Sequence, residues 1–340
     1  VGLSSRPAPL RTLQVLRGIA VMLVVLHHFS DVTAAFTPKH KVWGNGASGV
    51  DLFFVISGFI IPLSIDSSRS GFAAAARFFQ RRLERIVPLY WLVTTRTLIS
   101  MLYFGVPLIF SHIVGSYFFV PTRGRFGEYL PIVSVGWTLT YEMAFYLLIA
   151  FVILWTGRVM EIMLPLVVLI GVAGLTVPLP AVHMDLSLFL DFGLGMAAAL
   201  WYTRSKKRLP ALMATLLFVV ALTLELTAPF YTLRVVQWGI LSFLVLVSVL
   251  SLEGVLGNKL PRWSLLLGDA SYSIYLVHEY GLTIIRHMML AKLLSPAAGL
   301  MLGTMIGLSF GLACYWLIEL PILNFFKARR LQLRKSVPAS

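Results

Sequence analysis

Residues 16–28 read LRGIAVMLVVLHH, an apolar run that opens beside an arginine and closes on two histidines. On an α-helix the steps from Arg17 to His28 rise about 16 Å and turn through three revolutions plus roughly 20°, so both side chains share one face at different depths. His27 points about 80° away from Arg17. Set in a bilayer, Arg17 lies near one surface and His28 in the far half of the hydrocarbon. An Arg or Lys at the centre of a spanning helix costs about 2.5–3.5 kcal/mol on insertion scales, so ionisable groups inside such a run point to function. The structural alternative is that Arg17 snorkels to the interface and His28 merely caps the span.

The rest of the chain demands the same solvent. It has 340 residues, 58% hydrophobic and 12% charged, with a mean hydropathy of +0.86, which predicts an all-α polytopic membrane protein. Apolar runs of spanning length number ten, at 13–29, 49–65, 86–104, 137–155, 162–177, 186–202, 212–226, 235–252, 265–285 and 298–325. The piece 106–120 reads as a re-entrant or interfacial segment. This predicts a tail at 1–12, one transmembrane bundle at 13–326 and a basic tail at 327–340, with no repeat or low-complexity tract. Arg6 and Arg11 ahead of an apolar core imitate a signal peptide, but Arg17 and the histidines spoil that core, and a retained first span is expected. A single cysteine, Cys314, leaves no disulfide framework or cysteine metal site within one chain, and no metal is expected.

A net charge of +14 would suggest nucleic acid in a soluble domain. Threading ten spans from an inside N-terminus accounts for it differently. Twenty basic residues then fall on the cytoplasmic side, among them Arg69, Arg77, Arg81, Arg82, Arg85, Lys206 and the cluster 327–335. Seven fall opposite, namely Lys39, Lys41, Arg123, Arg125, Arg234, Arg286 and Lys292, with Arg96 left inside a span. Positive-inside bias therefore predicts both termini in the cytoplasm and makes nucleic-acid binding unnecessary.

Several polar residues interrupt the apolar runs. Arg82 and Arg85, three apart at a helix start, project to one side and with Arg81 and Arg17 form a cationic cluster suited to a phosphorylated ligand; positive-inside bias alone is the alternative. Asp51 lies just inside the second span, with Ser57 and Gly58 near its middle, where glycine permits close helix approach. Glu142 lies about 7 Å below the outer end of the fourth span. His28, Asp51 and Glu142 are thus expected at one depth in the outer half, an arrangement suited to acid and base work, unless the acids simply balance Arg17 or Arg96. In the ninth span Ser271, Tyr275 and His278 fall at i, i+4 and i+7, one polar stripe lining the bundle. Asp191 and Glu319 read as structural. No G-x-S-x-G, H-E-x-x-H or P-loop is present.

Taken together these pieces resemble the membrane-bound acyltransferases of type 3, ten-span bacterial enzymes that O-acylate extracytoplasmic acceptors. The matching residues are Arg17 and His28; GVDLFFVISGF at 49–59; RRLERIVPLYW at 81–91; WTLTYE at 137–142; LGDASYSIYLVH at 267–278; and ELP at 319–321. The WTLTYEM form is most similar to the exopolysaccharide O-acetyltransferase branch, without the attached esterase-like domain of another branch. Where many relatives carry a second acid after Glu142 this chain has Met143, and where many follow the ninth-span histidine with a proline it has Tyr280. The resemblance implies a bacterial inner-membrane enzyme with a cytoplasmic acyl-CoA donor, usually acetyl-CoA, and a polysaccharide or glycolipid acceptor amid membrane lipids. It implies that Arg82, Arg85 and Arg17 hold the donor, while His28, Arg17 and Glu142 carry the chemistry, with Asp51, Ser57, Tyr275 and His278 supporting them. Direct transfer by a neutral His28 and an acyl-enzyme on a serine both remain consistent with the residues. The rival from another class is a multi-span transporter or flippase, which predicts inverted repeats and broken helices in matching halves. A purely structural subunit gives no reason for Arg17, His28 and Glu142.

Overall fold

The computed structural model describes residues 10–36, 43–176, 184–205, 207–229 and 233–335. The tail 1–9, Lys39, Lys41, Lys206 and the end of the basic tail, 336–340, lie outside the described residues. Within them the chain is helical and has no strand. The helices are α1 (Arg11–Ala34), α2 (Ser48–Leu63), α3 (Phe72–Tyr103), α4 (Phe110–Tyr117), α5 (Trp137–Trp155), α6 (Val159–Thr176), α7 (Phe189–Arg204), α8 (Ala211–Thr227), α9 (Ile240–Leu256), α10 (Arg262–Asp269), α11 (Ser271–Val277), α12 (Glu279–Leu290), α13 (Pro296–Cys314) and α14 (Leu320–Lys335). Eight helical stretches are long and apolar enough to cross a membrane.

The expected ten runs all fall on helix, but two of them are not simple spans. The seventh, α8, has only 17 residues. The ninth is divided at Ala270 and His278 into α10, α11 and α12, so its polar stripe belongs to a short segment and not to one straight rod. The piece 106–120 contains only the eight-residue α4. A lone buried polar run cannot leave backbone groups unpaired in hydrocarbon, so such interruptions are tolerated where protein surrounds them.

Glycine sets how closely the helices pack. A Cβ on Gly58 would stand 2.2 Å from Phe192 O, and one on Gly195 would stand 2.0 Å from Val55 O, so α2 and α7 meet backbone to backbone. A Cβ on Gly268 would stand 1.9 Å from Gln14 O, which brings α10 against the start of α1. The buried residues of α13 are all glycine, namely Gly299, Gly303, Gly307 and Gly311. They abut Phe29, Ile285 and Ile274, while Met301, Met305 and Phe310 face outward. Exposed Leu169, Leu216, Phe151 and Leu317 give other helices the same apolar exterior, as expected of a bundle solvated by lipid.

α1 sits at the centre, packed against α2, α9, α10, α11, α12 and α13. Its two ends define the molecule: an arginine end, where α1 begins, and a histidine end beyond His28. Arg81, Arg82 and Arg85 were expected at a helix start, but α3 begins at Phe72 and carries them in its middle turns. α3 starts after Gly71, whose φ of +88° is open to glycine at little cost, and carries Pro88 within it. α13 begins with Ser295 as its cap, accepting from Ala298 N at 3.3 Å, and Pro296 in the first turn.

Candidate active site

Arg17 and His28 occupy the face of α1 that meets α11. Arg17 Nη2 donates to Ser271 Oγ at 3.0 Å, and Nη1 to Gln14 Oε1 at 3.3 Å. At the other end of the same contact, His28 Nδ1 lies 2.7 Å from His278 Nε2, and the two rings stack with centroids 5.0 Å apart. The shared face expected of Arg17 and His28 is therefore the face the polar stripe of α11 lines. His27 turns away, its Nδ1 3.1 Å from Trp43 O.

The hydrogen bonds of His278 assign its protons. Its Nδ1 lies 2.8 Å from Tyr275 O and 3.1 Å from Ile274 O, both acceptors only, so Nδ1 carries the hydrogen and Nε2 offers a lone pair. His28 Nδ1–H then donates to that lone pair, which leaves His28 Nε2 unprotonated in the neutral ring. His278 is wholly buried, and His28 is half-buried. A fixed ring with an available Nε2 is the form a general base requires.

α11 is held in place from α5. Tyr275 OH donates to Val135 O at 2.8 Å and lies 2.8 Å from Thr138 Oγ1. Ser134 donates to Glu279, the residue after His278. Tyr275 thus supports the histidine pair from behind and does not face it with its hydroxyl. Ser273 donates to Glu319 Oε2 at 2.5 Å, tying α11 also to the π-helical turn Tyr315–Glu319.

The arginine end gathers opposite charges. Arg82 Nη2 donates to Ser64 Oγ at 2.6 Å, and its guanidinium lies 5.7 Å from the Tyr146 ring. Arg17 lies within electrostatic reach of Arg85, Glu319, Glu142 and Asp269. Glu142 accepts from Ser57 Oγ at 3.4 Å and from Tyr146 OH. Two neighbouring guanidinium groups, Arg17 and Arg85, repel each other unless an anion or these acids intervene. Arg82 remains half-exposed near Ser64.

One expectation is corrected. His28, Asp51 and Glu142 do not converge. Asp51, fully buried, forms a two-point ion pair with Arg234, at 2.9 Å from Nε to Oδ1 and 2.9 Å from Nη2 to Oδ2. Asp191 lies beside that pair, and Arg234 also covers the Trp238 ring at 5.0 Å. Asp51 therefore faces α7 and the turn before α9. Glu142 turns toward Tyr146 and the arginine end, and Ser57 accompanies it. Arg96, the cation left inside a span, is matched by the Tyr280 ring at 4.0 Å.

Residues 10–320 match the acyltransferase domain family. The chain belongs to that family. It is 35% identical over 303 residues, 84% of this chain and 92% of the other, to the exopolysaccharide production protein ExoZ of Rhizobium meliloti (strain 1021). No solved structure matches it. In this membrane acyltransferase the roles of Arg234 and Glu279 are not legible from the sequence, whereas Ser271 falls in the polar stripe that the spacing predicts. Arg234 had been counted only as a loop cation, and nothing in its neighbourhood marks it as the partner of a residue so distant in sequence.

Proposed function

We propose that this membrane acyltransferase moves an acetyl or other short acyl group from cytoplasmic acyl-CoA to a hydroxyl of an extracytoplasmic or lipid-linked polysaccharide. The observation that carries the reading is the His28–His278 pair, joined to the arginine end by the single face of α1 that holds Arg17. The donor's phosphates would lie against Arg82 and Arg85, and its thioester arm would follow the Arg17 face. His28 Nε2 would take the proton of the acceptor hydroxyl as that oxygen attacks the thioester carbonyl. The carbon–sulfur bond breaks, and the leaving thiolate recovers the proton from His28, so atoms and charge balance. Glu142, bonded to Tyr146, offsets the charge of Arg17 beside the path. The name of the R. meliloti relative supports exopolysaccharide as the acceptor class. The deciding experiment is thioester turnover by the purified protein with de-O-acylated exopolysaccharide, wild type against His28→Ala; equal turnover would remove the assignment.

Arg82→Ala and Arg85→Ala should each weaken acyl-CoA binding by about tenfold, on the scale of a lost charge-assisted contact. They should leave the melting temperature near that of wild type, since both side chains are only half-buried and neither belongs to an ion pair among the described residues. Calorimetric titration with a non-hydrolysable donor analogue checks this, and unchanged affinity in both variants would take them out of the donor site.

The same reading places the enzyme in the bacterial inner membrane with both termini in the cytoplasm, supported by the basic residues at the arginine end. In a Cys314→Ser background, Ser295→Cys should react with an impermeant thiol reagent added to intact cells, and Ser68→Cys should not. The reverse pattern would invert the threading.

A further inference from the structure

At the histidine end a cleft of about 170 Å³ opens between α4, the segment 118–131 and the start of α5. Its lining includes Phe119, Tyr129, Trp137 and Tyr141 together with Thr122 and Thr140. Three further observations show a built site. Phe119 adopts φ +60°, a backbone conformation that side chains with a Cβ rarely take, and its ring stacks on Tyr90 at 4.7 Å. Such outliers persist where the surroundings enforce them, often at ligand sites. Thr122 Oγ1 is buried and has no hydrogen-bond partner among the described residues. The wall is also fixed: Tyr90 OH donates to Ser116 O at 2.9 Å, Ile132 N donates to Ser116 Oγ at 3.0 Å, and His112 Nε2 lies 2.8 Å from Leu130 O.

A preformed cleft of aromatic rings with a few hydroxyl groups has the chemistry of sugar recognition. A pyranose presents a flat array of C–H bonds that packs on a ring face, and equatorial hydroxyls that exchange hydrogen bonds at its rim. The position of the cleft says which sugar. Trp137, Thr140 and Tyr141 lie at i, i+3 and i+4 on one face of α5, whereas Thr138 and Glu142 lie on another, roughly 100° round the helix. Thr138 is the residue that meets Tyr275 behind the histidine pair. The cleft and the Thr138 side that reaches Tyr275 thus lie on different faces of α5, and neither histidine lines the cleft.

We propose that this cleft binds a sugar unit of the acceptor chain a few units removed from the one that is acylated. The proposal rests on the acyl-transfer reading above and names how that site measures its acceptor: it selects a polymer, because only a chain can occupy both places at once. The probes are de-O-acylated exopolysaccharide from the parent strain, its size-graded oligosaccharides and its monosaccharides, with the full chain in lipid nanodiscs. Trp137→Ala should bind the longer oligosaccharides about tenfold more weakly, as for loss of a central aromatic contact. Thr140→Val, which keeps the shape and loses only the hydroxyl, should weaken them by a smaller factor in the same direction. In transfer assays both should raise KM for the polymer, leave kcat near wild type and leave turnover with monosaccharides unchanged. If Trp137→Ala does not fold, Thr140→Val and the conservative Trp137→Phe decide the matter. Wild-type protein that binds no oligosaccharide overturns the proposal, as do folded variants with unchanged affinity and KM. Binding that is lost in the variants while the wild type acylates no glycan would sink the reaction assignment and leave the cleft standing.

Discussion

His28→Ala should reduce acyl transfer by about 10²- to 10⁴-fold, the usual cost of losing a general base, while donor affinity stays within a few-fold of wild type. The binding contacts assigned to the donor lie at the arginine end, on Arg82 and Arg85, away from the missing ring. His27→Ala should lose only the bond of its Nδ1 to Trp43 O and keep most of the turnover. The comparison is strict because the two histidines are adjacent in sequence and their rings lie 5.3 Å apart, so a general disturbance of the helix would affect both variants alike. Single-turnover rates with labelled acyl-CoA, beside equilibrium donor binding, separate the outcomes. A dead His27→Ala with an active His28→Ala would refute both the shared-face geometry and the identity of the base.

Arg234→Leu should lower stability by about 3–5 kcal/mol, because removing one member of a buried ion pair strands the other. Asp51 would be left in the bundle beside Asp191 with no cation among the described residues to hold it. Asp51→Leu should cost less, since Asp191 is near enough to Arg234 to take over as its partner. The double variant Asp51→Leu/Arg234→Leu should recover part of the loss, because two apolar side chains leave no stranded charge at this position. Thermal unfolding in one detergent orders the three. If Asp51→Asn instead melts like wild type and loses turnover, Asp51 belongs to the chemistry and not to the frame.

What the residues revealed unaided follows the range of the interactions involved. The helical runs, the Arg17–His28 face and the closeness permitted by Gly58 depend on spacing within one segment, and spacing is printed in the sequence. The Asp51–Arg234 pair joins residues 183 positions apart, and neither has a local pattern that names the other. Depth along a span suggested that Asp51, Glu142 and His28 would meet. Depth says nothing of azimuth, and azimuth is set by which helices neighbour α2 and α5. The interruptions of the ninth run were equally hidden, because Ala270 and His278 sit in a stretch without proline; the carbonyls accepting from His278 Nδ1 are its own helix's.

The four glycines of α13 give that helix an uneven allegiance. Its four buried positions carry no side chain and let Phe29, Ile274 and Ile285 come close, while Ile306, Leu308 and Leu312 flank them against the core and Met301, Met305 and Phe310 lie outward. A Cβ on Gly307 would stand 3.2 Å from His278 Cβ, and one on Gly303 would stand 2.2 Å from Phe29 Cδ1, beside His28. The histidine pair is therefore backed by bare helix backbone, and any side chain grown on Gly303 or Gly307 would press on Phe29 beside His28 or on His278 itself.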